Sequence, residues 1–246
     1  MTEFVTAIVL AAGLSRRMGN ENKLLLPFGN STILGTTLTQ ILNAQLGETR
    51  LVLGHEAAAV LHSLSDGVIQ NYPVTSTEDP SVFLMSDAPF RILEALMPTS
   101  NNYQLSSINY QLSVIINPHF EKGMTTSIQA GVAAADKEGR SRGYMMCLSD
   151  MPFITSAEYQ YLKKEFLKRL LIDNQAIVQP VFRDERGNPT IFSSFYKKHI
   201  LELDDTEGCK PIVQAYKNHL YLVEMPTDAV LRDIDEKREY AAMMGK

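Results

Sequence analysis

A basic, glycine-containing loop follows the first apolar run of the chain, and its residue types suit an anionic ligand. Residues 8–23 read Ile-Val-Leu-Ala-Ala-Gly-Leu-Ser-Arg-Arg-Met-Gly-Asn-Glu-Asn-Lys. The two glycines, Gly13 and Gly19, let backbone N–H groups approach a ligand without a Cβ in the way. The three cations of the loop would bind phosphate oxygens, Arg16 and Arg17 as planar forks and Lys23 as a point charge. The alternative interpretation is an ordinary strand-to-helix turn with solvated arginines.

The loop differs from the two commonest phosphate-binding motifs. A P-loop has lysine directly after its last glycine, whereas three residues separate Gly19 from Lys23. A dinucleotide fingerprint has the pattern Gly-x-Gly-x-x-Gly, whereas Leu14 and Ser15 follow Gly13. The loop therefore predicts phosphate binding of another kind.

A carboxylate at the end of a second apolar run points to a metal ion. Asp150 follows the apolar run 144–148 and precedes Met151 and Pro152. A carboxylate facing a phosphate loop is repelled unless a divalent cation bridges the two, and Mg²⁺ is the usual bridge. The alternative is that Asp150 helps to cap the following helix. Asp87 lies in a similar motif, Ser-Asp-Ala-Pro-Phe at 86–90, but we favour Asp150 because its strand belongs to a regular alternation of elements.

Two further segments carry candidate ligands. Asp233 and Asp235 flank one apolar residue, so in extended chain both side chains point the same way and either could complete a metal site. A helix start, which favours acids, explains them equally well. The segment Gly-Met-Thr-Thr-Ser at 123–127 opens a predicted helix whose free N–H groups and hydroxyls suit a nucleotide or phosphate, although ordinary capping explains its hydroxyls almost as well.

Composition narrows the class of protein. With 246 residues, 45% hydrophobic and 21% charged, the chain is ordinary for a globular protein with a full core. A net charge of -5 argues against a nucleic-acid surface, so we expect no nucleic-acid partner. The two cysteines suit a reducing compartment, with Cys147 as a buried core thiol. No basic leader and no apolar run of membrane-spanning length is found, so we expect a cytoplasmic protein with no membrane partner.

The elements that must position these residues alternate between strands and helices. Apolar runs predict strands at 4–10, 50–54, 113–117, 144–148, 176–182, 190–192 and 220–224, and helical spacing predicts helices at 31–46, 56–63, 123–136, 156–171 and 235–244. This alternation predicts one α/β domain over 1–246, with helices on both faces of the sheet. Residues of about 65–112 lack the alternation and are interpreted as an insertion. Ligands of such sheets bind at the carboxyl ends of the strands, where both the basic loop and Asp150 fall.

Taken together, the motifs resemble one family. They are Leu-Ala-Ala-Gly-Leu-Ser-Arg-Arg-Met-Gly at 10–19 with Lys23, Gly-Met-Thr-Thr-Ser at 123–127 with Ala130 and Gly131, Ser-Asp-Met-Pro at 149–152, Arg-Gly-Asn-Pro at 186–189 and Asp-Ile-Asp at 233–235. In this order they are similar to the molybdenum cofactor nucleotidyltransferases, within the wider nucleotidyltransferase superfamily. Ala12 resembles the cytidylyltransferase branch, because the guanylyltransferase branch typically has a second glycine there. The resemblance covers nearly all of the chain except about 65–112.

The resemblance implies a three-layer Rossmann-like (GT-A-like) α/β fold with a mostly parallel central sheet. It implies transfer of CMP from CTP to the terminal phosphate of molybdopterin, with release of pyrophosphate and with Mg²⁺ as cofactor. A phosphate nucleophile is already ionised near neutral pH, so positioning and charge neutralisation suffice for catalysis. The implied roles are catalysis by Arg17, Lys23 and Asp150; nucleotide binding by Leu10, Ala11, Ala12, Gly13, Ser15, Arg16, Gly19, Thr126, Ser127 and Gly131; metal binding by Asp150 and Asp235; and an acceptor side of Arg186, Gly187, Asn188 and Pro189.

Two segments depart from the family pattern. Asn188 stands where family members usually have histidine, and Glu-Lys-Arg-Glu at 236–239 replaces the usual Thr-Pro-Glu-Asp. Two alternative functions therefore stay open. One is a nucleotidyltransferase for another phosphorylated acceptor, such as a sugar or polyol phosphate. The other is a non-catalytic nucleotide-binding chaperone of a molybdoenzyme, and such a client molybdoenzyme is a further expected partner.

Overall fold

The computed structural model describes residues 4–15, 21–65, 111–135, 139–204, 206–236 and 240–241. Arg16, Arg17, Gly19 and Asp87 lie outside the described residues, as do nearly all of the predicted insertion and most of the predicted closing helix. The assignments made above for these positions therefore remain predictions.

Ten strands run through the described residues. They are β1 (Phe4–Ala11), β2 (Pro27–Phe28), β3 (Ser31–Thr32), β4 (Glu48–Leu53), β5 (Gln111–Ile116), β6 (Ser141–Leu148), β7 (Ile177–Phe182), β8 (Glu185–Arg186), β9 (Thr190–Ser193) and β10 (Leu220–Glu224). Eight of them form one sheet in the order β10-β7-β9-β6-β1-β4-β5, with β8 paired to β7, while β2 and β3 form a separate hairpin.

The central part of this sheet is parallel. Strand β1 pairs in parallel with β4 on one side and with β6 on the other, and β4 pairs in parallel with β5. Strand β9 is antiparallel to both of its neighbours, β6 and β7, and β10 is again parallel to β7. The predicted α/β fold with a mostly parallel central sheet is confirmed. Because β1, β4, β5 and β6 run the same way, their carboxyl ends meet at one edge of the sheet.

Helices cover both faces of the sheet, as the continuous apolar run of β1 predicts for a strand buried on both sides. The helices are α1 (Ile33–Asn43), α2 (Ala57–Ser65), α3 (Met124–Ala134), α4 (Ser156–Leu170), α5 (Lys197–Leu201) and α6 (Lys210–Ala215). Val5, Ala7 and Val9 pack in a core with α1, α2 and α4, and Ile8 packs on the opposite face with α3, α5 and α6.

Capping residues explain where two helices begin. The side chain of Thr32 accepts a hydrogen bond from the Gly35 N–H at 3.0 Å and caps α1. The helix predicted from residue 31 therefore begins at Ile33, because residues 31–32 first pair with 27–28 in the hairpin. Helix α4 begins with a reciprocal capping box between Thr155 and Glu158, which matches the expected start. Helices α5 and α6 were not predicted, since five or six residues are too few to show a helical period.

Among the helices in the described ranges, none combines the length and the apolar character that crossing a membrane would require.

Candidate functional site

An open cavity of about 310 Å³ lies at the carboxyl edge of the sheet, beside the end of β1. This volume is at the lower end of the range for small-molecule sites, about 300–1,000 Å³. One wall is the loop that follows β1, and the other is the connection from β5 into α3. The lining residues are Ala12, Gly13, Leu14, Ser15, Phe120, Glu121, Gly123, Met124 and Ser127.

The loop wall leaves room for a ligand to approach the backbone. A Cβ built on Gly13 would have no neighbour within 4 Å, so packing does not explain the glycine there. Ser15 has a positive φ of 48°, and its hydroxyl accepts a hydrogen bond from the Lys23 N–H at 3.3 Å. Asn22 caps the 3₁₀ turn Lys23–Leu25 by accepting from the Leu24 N–H at 3.1 Å. These contacts fix the position of Lys23 relative to the start of the loop.

Three carboxylates converge on the other side of β1, at the end of β6. One oxygen each from Asp150, Asp233 and Asp235 lies within 4.8 Å of the others. The Ile234 N–H donates to the Asp150 carbonyl at 3.0 Å, which brings the segment carrying Asp233 and Asp235 against Asp150. The Ser149 hydroxyl donates to the Leu10 carbonyl at 2.7 Å and ties the end of β6 to the end of β1. The three acids therefore form one group, with Asp233 in addition to the predicted Asp150 and Asp235.

Lys23 joins this carboxylate cluster to the loop. Its Nζ lies 2.5 Å from Asp150 Oδ2 and 2.6 Å from Asp235 Oδ1. The side chains of Lys23 and Asp150 are only 16% and 13% exposed, so water screens these interactions weakly. Burial lowers the pKa of Lys23, but the Asp150 and Asp235 carboxylates outweigh it and raise the pKa overall. Lys23 is therefore a fixed positive charge at the site.

The cluster carries more negative charge than one lysine neutralises. Burial, and then the charges of Asp235 and Asp150, raises the pKa of Asp233 above its ordinary value. Asp150 Oδ1 is buried and has no hydrogen-bond partner. A buried carboxylate oxygen without a donor is costly unless a cation binds it. Three clustered carboxylates are the oxygen ligands that Mg²⁺ and Mn²⁺ prefer, so these residues fit a divalent metal ion.

The predicted acceptor segment lies against the chain that leads to these acids. The Asn188 N–H donates to the Val230 carbonyl at 2.9 Å, and a side chain at Gly187 would overlap that carbonyl. The peptide bond between Asn188 and Pro189 is cis. Arg186 is exposed at the end of β8 and lines a separate groove along β10 with Lys217 and Leu222. The structure thus brings Gly187 and Asn188 against Val230, three residues before Asp233 in the chain.

The other sequence-predicted residues differ in their access to the cavity. Ala12, Gly13, Ser15 and Ser127 line it. Ala11 is buried in the core on one face of the sheet. Leu10 is partly buried and packs against the core on the other face. A Cβ on Gly131 would lie 2.5 Å from Ile8 Cγ2, so this glycine serves the packing of α3 on the sheet. Thr126 does not line the cavity, and its hydroxyl contacts the His119 and Gly123 carbonyls.

Sequence reasoning missed several residues around the cavity. Phe120 and Glu121 lie on a 3₁₀ turn whose short length gives no periodic signal. Asn117 follows β5 directly and is 2% exposed, yet its position before a proline indicated only the end of a strand. The informative signal was present: a polar residue at the carboxyl end of a parallel strand is placed at the ligand edge of the sheet. Cys147 is fully buried, and burial raises the pKa of its thiol, as expected for a core cysteine.

Comparisons with known proteins place the fold and the family. A family model described as a MobA-like NTP transferase domain matches residues 7–220. No curated protein matches the sequence. Among solved structures, Rv0371c of Mycobacterium tuberculosis H37Rv shares 21% identity, with 100% of both chains covered and a TM-score of 0.67. A nucleotidyl transferase from Methanothermobacter thermautotrophicus shares 18% identity, with 98% of this chain and 96% of that chain covered and a TM-score of 0.68.

A third structural relative carries cytidine chemistry in its name. The 4-diphosphocytidyl-2C-methyl-D-erythritol synthase of Anaerococcus prevotii shares 12% identity, with 99% of this chain and 97% of that chain covered and a TM-score of 0.58. Rv0371c has also been solved in complex with manganese, at 19% identity, 99% coverage of both chains and a TM-score of 0.61. Identities this low show a shared fold.

Proposed function

The chain belongs to the family of MobA-like NTP transferase domains, and we propose that this nucleotidyltransferase moves CMP from CTP to the phosphate of a molybdopterin-type acceptor. Mg²⁺ is the proposed cofactor and pyrophosphate the second product. The observation that carries the proposal is the joint placement of the glycine loop, Lys23 and three carboxylates at the carboxyl edge of the sheet.

The cavity is the proposed place for the nucleoside. Ala12, Gly13 and Ser127 border it, and the loop leads from there to Lys23 and the carboxylates. The triphosphate would follow this loop, with Arg17 and Lys23 on its oxygens and with Arg16 and Gly19 as further nucleotide-binding residues, as the resemblance implies. Backbone approach at Gly13 needs no rearrangement, because the space next to its Cα is open.

Asp150 and Asp235 are the proposed metal ligands, and the position of Asp233 adds it as a third. When bound there, a divalent ion supplies charge neutralisation for the α-phosphate. Rv0371c, a protein of similar fold, has been solved in complex with manganese. That complex supports the proposal of a divalent metal ion here. Lys23 is the proposed second cation for the phosphate oxygens, and its raised pKa keeps it charged throughout the neutral range.

The reaction needs few groups from the protein. An oxygen of the acceptor phosphate attacks the α-phosphorus in line, the new P–O bond forms, and the bond from the α-phosphorus to the bridging oxygen breaks with pyrophosphate as leaving group. The acceptor oxygen is ionised near neutral pH, so no side chain has to remove a proton. Catalysis then rests on alignment and on charge neutralisation of the transferred group, both of which the loop and Lys23 provide.

Residues 186–189 are the proposed acceptor side, as the resemblance implies, and the contact of Gly187 and Asn188 with Val230, just before Asp233, supports this. The proposal of a molybdopterin acceptor rests on the motif resemblance, and the proposal of cytosine as the base rests on Ala12. A second candidate acceptor, a sugar or polyol phosphate, is favoured by the name of the Anaerococcus relative, which joins cytidine to a methyl-erythritol. A client molybdoenzyme is the proposed recipient of the product under the first candidate.

Pyrophosphate release across four nucleoside triphosphates and three acceptors tests the proposal. We expect release with CTP, Mg²⁺ and molybdopterin, and at least about 10-fold less with ATP, GTP or UTP, which corresponds to about 1.4 kcal/mol of discrimination. Release with a sugar or polyol phosphate but not with molybdopterin would favour the second candidate. Binding of CTP without release for any acceptor would contradict the enzyme proposal and favour a non-catalytic nucleotide-binding chaperone.

A further inference from the structure

The side chain of Asn117 connects the end of β5 to the first turn of α3. Its Nδ2 donates to Thr126 Oγ1 at 2.9 Å and to Ser127 Oγ at 3.0 Å. Its Oδ1 accepts from the His119 N–H at 2.9 Å. Asn117 is 2% exposed, and its bond to Ser127 is buried, whereas its bonds to Thr126 and to the His119 N–H are partly buried.

The backbone fixes which way round this amide lies. A peptide N–H can only donate, so the atom facing the His119 N–H must be the amide oxygen. The amide nitrogen therefore faces the two hydroxyls and uses both of its hydrogens on them. Both hydroxyl oxygens must act as acceptors toward Asn117.

This arrangement has different consequences for the two hydroxyls. The hydrogen of Thr126 is directed to the His119 or Gly123 carbonyl, each 3.0 Å away. The Ser127 oxygen accepts from Asn117, and within the described ranges its hydrogen reaches no acceptor. Ser127 lines the cavity at the end of β1. Ser127 is thus held as a hydrogen-bond donor facing the cavity.

We propose that Asn117 is a positioning residue that sets the polarity of Ser127, so that the Ser127 hydroxyl donates to an acceptor atom of the bound nucleotide. The inference rests on the proposed function, because it takes the cavity as the nucleotide site. Asn117 itself does not line the cavity and acts through Ser127.

Replacement of Asn117 by aspartate separates polarity from shape. Aspartate has nearly the same size and still accepts from the His119 N–H, but its other oxygen can only accept. The hydroxyl hydrogens of Thr126 and Ser127 would then turn toward residue 117, and Ser127 would present a lone pair to the cavity instead of a hydrogen. The bond from the Asn117 backbone N–H to the Leu53 carbonyl, at 2.8 Å, is unaffected.

The test is equilibrium binding of CTP with Mg²⁺ to the wild type, Asn117→Asp, Ser127→Ala and the double variant, by calorimetry. We expect Ser127→Ala to weaken binding about 3- to 10-fold, the effect of one hydrogen bond, and Asn117→Asp to weaken it by at least as much. In the Ser127→Ala background, Asn117→Asp should cost less than about 2-fold, because the group it acts through is gone. Urea unfolding midpoints check that each variant is folded.

An additive result would overturn the inference. If Asn117→Asp weakens binding equally with and without the Ser127 hydroxyl, its effect is that of the added negative charge on the triphosphate. Binding by Asn117→Asp equal to that of the wild type would overturn it as well. The readout is binding and not turnover, so CTP binding without pyrophosphate release would defeat the transferase proposal and leave this inference intact.

Discussion

Replacing Gly131 with alanine opposes helix propensity to packing, and the structure predicts that packing dominates. Gly131 lies inside α3, where alanine is favoured over glycine by about 1 kcal/mol. The added Cβ would lie 2.5 Å from Ile8 Cγ2 and 3.0 Å from Val52 Cγ2. Carbon atoms pack best at about 3.5–4.0 Å. Ile8 and Val52 have no exposed surface, so they have little room to move.

The net effect follows from these two terms. Overpacking of a well-packed core costs about 1–3 kcal/mol. The added Cβ would be about 1 Å too close to Ile8 and would also press on Val52 in a second strand, so we expect a cost in the upper half of that range. After the gain from helix propensity, we expect Gly131→Ala to lower the free energy of unfolding by about 1–2 kcal/mol. For a chain of this size, that lowers Tm by about 2–8 °C.

Urea unfolding followed by circular dichroism measures this change, together with CTP binding far below the transition. Ala133→Gly is the matched control, because Ala133 is exposed on the same helix and should lose only the propensity difference, about 1 kcal/mol. A Gly131→Ala variant at least as stable as the wild type would refute the packing argument. Unchanged stability with lost CTP binding would instead favour direct contact of Gly131 with the nucleotide, as the motif resemblance implied.

Two further predictions concern carboxylates. Asp150→Asn should lower pyrophosphate release by at least about 10²-fold and weaken Mn²⁺ binding, since it removes a charged metal ligand while preserving shape. Asp228→Asn, at an exposed position, is the control. An Asp150→Asn variant that keeps both its pyrophosphate release and its Mn²⁺ binding would argue against the metal site. Burial would raise the pKa of Asp173, but hydrogen bonds from His219, the Gln175 N–H and Tyr221 outweigh it and hold the pKa below its ordinary value. A lowered folded-state pKa contributes stability above the unfolded pKa of about 3.9, and that stability is lost as the pH falls through the folded value. Asp173→Asn should therefore flatten the acid side of the stability profile, measured as urea midpoints between about pH 2 and pH 7, and an unchanged slope would contradict this.

The sheet was predictable from the sequence because its buried strands are continuous apolar runs. The run that forms β1 and the run that forms β6 are each followed by small or polar residues, and this pattern alone predicts that the loop and Asp150 share one edge of the sheet. Long amphipathic helices such as α4 were equally clear, and the predicted start at residue 156 agrees with the structure.

Side-chain pairings between distant segments were not predictable. The alternation of Asp233 and Asp235 indicated one common direction, but it did not show that the Ile234 N–H would bind the Asp150 carbonyl and bring both acids together. Lys23 was expected to face phosphate, and its pairing with two carboxylates depends on tertiary contacts about 127 and 212 residues away in sequence. The role of Asn117 depends on which hydroxyls α3 brings to it, and no local pattern encodes that.

The proposed reaction transfers the nucleotidyl group, with its α-phosphate, from a nucleoside triphosphate to a phosphorylated acceptor. The most direct measurement uses CTP labelled separately on the α- and γ-phosphorus, with Mg²⁺ and molybdopterin. We predict that the α-label moves into the acceptor product while an equal amount of γ-label appears in pyrophosphate. Labelled CTP that binds but never transfers its α-phosphorus to an acceptor, or γ-label released as inorganic phosphate, would contradict the account.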